Sequence, residues 1–403
     1  MEGSGFQIEE IILAITLLLF LAKLLGETME RLGQPAILGE LAAGIILGSH
    51  LLGPLLFHKP LFRIESLAFL AEVGAIFLLF SAGYLEVDLK RLMQMGKKSL
   101  IVAVSGVAIT FITGFFIGRI FSYGLIGSLF LGLALSITSI GVTVRTLMDL
   151  RKLQTDYGMI ILGTAIIDDI ISLFILALLI PIAQPHTALT FVGTGIIVFK
   201  VLAFFAGSAL FAIFILKPLA RVSSRLVVAE ARLAIIFSVI FVFALVAKIT
   251  GLHMIIGAFT AGVILSIRPE FKTKDIEYKI NGISYGLFIP LFFAILGTMI
   301  DLGALVQSGI LALVIIVFAI VGKVLAGFLG GKMIKYSSRK SLAIGVGLIP
   351  RTGVELVVIS IALTAGIIDQ KIFTAVVAMV AVTVIITPIL LKQAVIFLER
   401  QKS

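Results

Sequence analysis

Cysteine and tryptophan are both absent from this 403-residue chain. Without a thiol there is no disulfide, no thiolate nucleophile and no Cys-based metal site. Without an indole, any aromatic belt at a membrane surface must come from the six Tyr and 31 Phe. Charge is scarce as well, since Asp, Glu, Lys and Arg make up 13% of the residues, against about 25% in a soluble domain. That is too little polar surface to coat a globule. Hydrophobic residues make up 60% of the chain and the mean hydropathy is +1.22. The composition predicts an all-α, polytopic membrane protein. A spanning helix needs roughly 20 apolar residues, so about thirteen spans with short loops fill the length and leave no room for an ordinary soluble domain.

The net charge of +10 is explained by where the charges sit. Apolar runs lie near 8–26, 35–49, 67–84, 99–121, 125–147, 157–181 and 190–216, then near 232–250, 252–267, 281–300, 309–333, 341–364 and 371–397. Summed over alternate connections, one side holds 23 Lys and Arg and the other five. The positive-inside rule then predicts an external N-terminus and a cytoplasmic C-terminus. The basic balance is a topology signal and implies no nucleic acid. The first run has an acidic start, with Glu2, Glu9 and Glu10, and lacks a basic lead, so it reads as a permanent helix and not a cleaved signal.

The chain repeats itself. Ile37–Leu47 reappears as Ile255–Leu265 at an offset of 218. Thr113–Phe116 matches Ala326–Leu329 at an offset of 213, and Ser128, Leu129 and Gly132 match Ser341, Leu342 and Gly345 at the same offset. Gly141 and Val142 match Gly353 and Val354 after one slipped residue. Each helix pairs with the one seven later, and an odd shift reverses direction. Inverted-topology repeats are the signature of secondary transporters, whose sites lie near the midplane where the repeats meet.

Two matched breaks mark that midplane. Ser136–Gly141 is polar inside the fifth run, and its mate in the twelfth reads Ile349–Pro350–Arg351–Thr352–Gly353. Proline removes a backbone donor, and non-helical backbone at membrane depth survives only in protein or beside water. Thr138 and Ser139, with freed carbonyls, are candidate cation ligands; a kinked helix with Ser/Thr back-bonding is the alternative.

The intramembrane charges carry the chemistry. Asp168 and Asp169 stand side by side in the middle of the sixth run, where each charged residue costs roughly 2.5–3.5 kcal/mol. Neighbours on a helix point about 100° apart, so one acid can meet a countercharge while the other faces a cavity. Lys323, alone in the eleventh run, is the candidate countercharge. Arg351 and Glu355 are read as a pair that supports the broken helix around Pro350. Glu40 and Glu72 read as gate or packing groups, Lys23 and Lys200 as snorkelling lysines, and His253 as an interfacial histidine. His50, His58 and His186 lack metal-ligand spacing.

Taken together, Thr164–Asp169 with its acidic pair, the break Ile137–Thr143, Lys323 and Pro350–Arg351 resemble the monovalent cation/proton antiporters. The likeness runs from about Gln34 to the end and is strongest to the NapA-type sodium/proton antiporters, relatives of the Kef potassium systems and, more distantly, of NhaA. It implies that Asp169 binds Na⁺ and H⁺, that Asp168 pairs with Lys323 and releases it when sodium binds, and that Thr138 lies at the crossing. It also implies a homodimer in a prokaryotic cytoplasmic membrane. Core helices over 99–181 and 309–397 would move against scaffold helices over 1–84 and 232–300, linked by 190–216. In one departure, the family pattern has a glutamate two residues beyond the arginine, where this chain has Gly353 and places its acid at Glu355.

No cofactor is expected beyond the transported Na⁺ (or Li⁺) and H⁺, and the expected partners are monovalent cations, protons and lipid. If Na⁺ and H⁺ compete for one acid that crosses only when occupied, exchange is obligatory. Two protons against one Na⁺ would make it electrogenic. The rivals are an electroneutral K⁺/H⁺ exchanger of the same fold, a subunit of a redox-driven proton pump, an ion channel, and an intramembrane aspartyl protease. The last would need carboxylates from two helices converging on one water, whereas Asp168 and Asp169 share one.

Overall fold

Residues 8–48, 52–57, 61, 64–87, 89–183, 191–300, 309–351 and 354–399 are described here from a computed structural model. The first half of the chain forms α1 (Ile8–Arg31), α2 (Ile37–Leu47), the short α3 (Gly53–Leu56), α4 (Glu65–Ser81), α5 (Leu89–Ile120), α6 (Leu125–Ser136), α7 (Ile140–Asp149) and α8 (Asp156–Ala183). There follow α9 (Phe191–Leu210), α10 (Leu216–Arg225), α11 (Ala231–Thr250), α12 (Met254–Leu265), α13 (Lys274–Ile283), α14 (Ile289–Thr298), α15 (Gly309–Met333), α16 (Ser338–Gly347), α17 (Val354–Thr364) and α18 (Gln370–Glu399). Each of the thirteen apolar runs holds a helix or a pair of helices. Among the described residues, nine helical stretches are long and apolar enough to cross a bilayer.

Several boundaries depart from the sequence reading. α5 starts at Leu89, ten residues before the apolar run, because Lys90, Arg91, Lys97 and Lys98 extend its helix beyond the hydrocarbon. Its 32 residues make about 48 Å of helix, longer than a hydrocarbon core of about 30 Å. Single π-helical turns at Ala82–Glu86, Phe211–Ile215 and Ser284–Phe288 follow or precede apolar helices without any mark in the composition.

The duplication is carried into the packing. Gly39 sits against the backbone of Leu25 and Gly26, and Gly257 against Phe243 and Ala244, one repeat later. Gly114 meets Gly132 as Gly327 meets Gly345. Helix ends match too: α1 and α11 stop at left-handed Gly33 (φ +68°) and Gly251 (φ +95°), where the missing Cβ removes the steric penalty. Ser122 and Lys335, both with φ 63°, occupy one repeat position.

Repeat mates run antiparallel. Along the α5–α15 contact, Gly330 lies by Val102 and Gly322 by Thr110. Along α4–α14, Gly74 lies by Phe288 while Ser81 bonds Ser284 at 2.9 Å. The repeats therefore have inverted topology.

Two groups of helices result. α5–α8 and α15–α18 pack on one another, as do α1, α2, α4, α11, α12 and α14, while α9 touches α8 and α11. Water gives no apolar driving force between helices in lipid, so close approach of small residues supplies the contact. The glycines above do so.

Candidate ion-binding site

The site is built where α6 stops. Ile137 (φ −65°, ψ 141°) and Ser139 (φ −85°, ψ 127°) are extended, so the helix pauses for three residues before α7. The last carbonyls of α6 are left without amide partners, at the negative end of its dipole. Two basic side chains take the place of those amides. Lys323 Nζ donates to the Ser136 carbonyl at 2.6 Å, and Arg351 Nη2 donates to the Leu135 carbonyl at 2.6 Å. From the other break, the Pro350 carbonyl accepts from the Ser139 amide at 2.8 Å, and the Gly347 carbonyl accepts from Thr143 Oγ1 at 2.6 Å. The two interrupted helices thus cross and stitch each other. Gly353, on which the sequence reading placed part of the second break, lies outside the described residues.

Asp168 and Asp169 part company as the helical turn requires. Asp168 is fully buried, and its Oδ2 accepts from Thr138 Oγ1 at 2.6 Å and from Lys323 Nζ at 3.0 Å. Its Oδ1 is buried with no hydrogen-bond partner. Asp169 is half-buried and lines a cavity of about 250 Å³. Glu72 and Leu78 of α4, Thr138 and Ser139 of the break, His253, Phe292 and Glu355 share the lining. An acid facing a cavity stands next to an acid sealed against a lysine. Such a pair can hold one exchangeable cation or proton on Asp169 while Asp168 stays neutralised.

Arg351 has no exposure and Glu355 about 1%. Glu355 stands in the first turn of α17, where a carboxylate is favoured by the helix dipole.

Lys23, exposed on α1, donates to the Tyr285 carbonyl at 2.5 Å. One group sits elsewhere than the sequence suggested. Arg145, one of the 23 Lys and Arg summed for the basic side, is buried in α7 and pairs with Glu40 at 3.3 Å. Glu72 faces the cavity, so it belongs with the site. Sequence reasoning also passed over Tyr123, whose hydroxyl donates to Asp369 at 3.0 Å. The signal was present: Tyr123 and Tyr336, and Asp156 and Asp369, recur at the repeat offset of 213.

Residues 16–396 match the family described as "Sodium/hydrogen exchanger, transmembrane". The chain is 33% identical over 388 residues to the Na⁺/H⁺-K⁺ antiporter GerN of Bacillus cereus, covering 95% of this chain and 96% of that one. It is 32% identical over 418 residues to the high-affinity Na⁺/H⁺ antiporter NhaS3 of Synechocystis, covering 94% and 88%. Its fold resembles that of the sodium proton antiporter MjNhaP1 from Methanocaldococcus jannaschii, with a TM-score of 0.68 at 17% identity over 98% of this chain and 96% of that one.

Proposed function

Because this chain belongs to the sodium/hydrogen exchanger family and is a multi-pass cation/proton antiporter, we propose that it exchanges Na⁺ (or Li⁺) for H⁺ at Asp169, electrogenically and by alternating access. The observation that carries this reading is the division of labour in the acidic pair. Asp169 faces the cavity, whereas Asp168 is closed off by Lys323 and Thr138. A bare carboxylate is costly to move through a low-dielectric barrier. The site therefore crosses only with Na⁺ or H⁺ bound, and each carries it in one direction.

Electrogenicity follows if sodium draws Asp168 away from Lys323 as it binds. Two protons, on Asp169 and on either Asp168 or Lys323, then return against one Na⁺. One net charge moves per cycle, and 100 mV contributes roughly 2.3 kcal/mol to it. With the N-terminus outside, as the 23-to-5 distribution of Lys and Arg favours, the cavity opens to the exterior of a cell membrane. The helices of 99–181 and 309–397 act as the moving core, those of 1–84 and 232–300 as the scaffold, and the working unit is a homodimer. No cofactor takes part and no bond is made or broken, so the protein is not an enzyme. A second reading, K⁺/H⁺ exchange, is favoured by the likeness to an antiporter whose name includes K⁺.

The test is exchange in proteoliposomes. A pH gradient should drive Na⁺ movement, and Asp169→Asn should abolish it. Full activity in that variant would remove Asp169 from the mechanism. Exchange that ignores an imposed potential would make the cycle electroneutral.

A further inference from the structure

A second buried polar cluster lies at the opposite end of α7 from the cavity. Arg145 is 4% exposed. Its Nη2 donates to Glu40 Oε1 of α2 at 3.3 Å, and its Nε lies 3.1 Å from Asp149 Oδ1, one turn on. The guanidinium covers the Tyr285 ring at 4.8 Å from the centroid. Tyr285, in the π turn before α14, points its hydroxyl at Met148 Sδ, 3.7 Å away, and takes Lys23 on its carbonyl. Two side chains of α7, Arg145 and Met148, thus touch two elements of the facing group of helices, α2 and the π turn before α14. The ion site does not use this contact.

Position and chemistry both mark it as a closure that can open. The cavity reaches Gly141 at the start of α7. Arg145 stands about 6 Å further along the same helix, towards the end where Lys and Arg collect. An apolar seal would resist wetting by about 25 cal/mol per Å². Here the reverse holds, because Glu40 Oε2, Arg145 Nη1 and Asp149 Oδ2 are buried without hydrogen-bond partners. Dry, the charges attract strongly; wet, each orphaned atom gains a water. Parting the contact is thereby offset by hydration. At the offset of 212 that matches Gly141 to Gly353, the position corresponding to Arg145 is the uncharged Val357.

We infer that the contact of Arg145 with Glu40 and Tyr285 is the gate that shuts the ion site from the basic end of the molecule, and that it parts once in every transport cycle. This rests on alternating access at Asp169. With the gate closed, the cavity is the route to Asp169.

The natural absence of cysteine makes the test clean. In a Met148→Cys/Tyr285→Cys pair, a short, reducible thiol cross-linker should stop cation exchange, and reduction should restore it. Continued exchange in the cross-linked protein would overturn the gate. A reading that does not depend on transport comes from Met148→Cys alone, labelled with an impermeant maleimide from the basic side. Glu40→Gln should speed labelling roughly tenfold or more, while Arg145→Lys, which keeps the charge, should speed it less. Labelling that is fast in the Met148→Cys protein itself, or unmoved by Glu40→Gln, would overturn the gate even if exchange proves normal. Should Glu40→Gln fail to fold, Tyr285→Leu removes the ring beneath the guanidinium and is read the same way. If labelling behaves as expected and exchange is absent altogether, the gate stands and the antiport reading falls.

Discussion

Lys323 and Asp168, 155 residues apart in sequence, hold each other at 3.0 Å with neither side chain exposed. Each charge is tolerated in the membrane interior because of the other. Removing one partner of a buried pair strands the remaining charge, at a cost of about 3–5 kcal/mol. Lys323→Ala should therefore lower the melting temperature in detergent by many degrees. Adding Asp168→Asn to it should recover much of the loss, because the stranded charge is then gone. A Lys323→Ala protein as stable as its parent would show that Asp168 carries no charge in the resting state.

Competition at Asp169 predicts a pH dependence of transport. A proton on the carboxylate excludes the cation, so the apparent KM for Na⁺ should rise as pH falls, approaching tenfold per unit where the acid is mostly protonated. The maximal rate at saturating Na⁺ should change less. A KM flat across the pH range would mean that Na⁺ and H⁺ bind at different places.

Outside the spans, Tyr123 should titrate late. Its phenol is pushed up to about 12, first by burial and then by the hydrogen bond to Asp369 and its charge. The folded protein thus keeps a proton that an unfolded tyrosine gives up near pH 10. The stabilisation is whole below about pH 10 and is lost as pH rises through about 12. Tyr123→Phe should cost at most about 1 kcal/mol at neutral pH, with the gap closing in strongly alkaline buffer. A gap independent of pH would mean that the hydroxyl is not held by Asp369.

Some of this could be read from the residues and some could not. The divergence of Asp168 and Asp169 follows from 100° per residue alone, and the pause after Ser136 follows from polar residues where hydrocarbon was expected. The Arg145 cluster was illegible for a physical reason. Glu40, Arg145 and Tyr285 each stand near an end of an apolar run, where a charge or a phenol is ordinarily solvated, and only the crossing of α2, α7 and α14 removes the water. Counting Arg145 with the basic side was reasonable chemistry applied to the wrong surroundings. The π turns left no mark because an extra residue in a turn changes hydrogen bonding without changing composition.

Gly44 and Gly262, one repeat apart, bring the scaffold helices into backbone contact. A Cβ on Gly44 would come 1.8 Å from the Ala294 carbonyl oxygen, and one on Gly262 would come 2.5 Å from that of Phe80. Backbone carbonyls inside helices cannot swing away as a flexible side chain can, so α2 would have to part from α14, or α12 from α4. Overpacking of this kind costs about 1–3 kcal/mol or more. It also loosens the two walls against which the ion-binding helices are held. Gly44→Ala and Gly262→Ala should each lower the melting temperature and the cation exchange together. Gly207→Ala is the control, because nothing lies within 4 Å of a Cβ there and alanine is favoured over glycine in a helix by up to about 1 kcal/mol. It should melt no lower than the parent. If Gly44→Ala melts like Gly207→Ala, the close crossing of α2 and α14 is not what fixes the scaffold, and the matched glycines of the two repeats are left without that explanation.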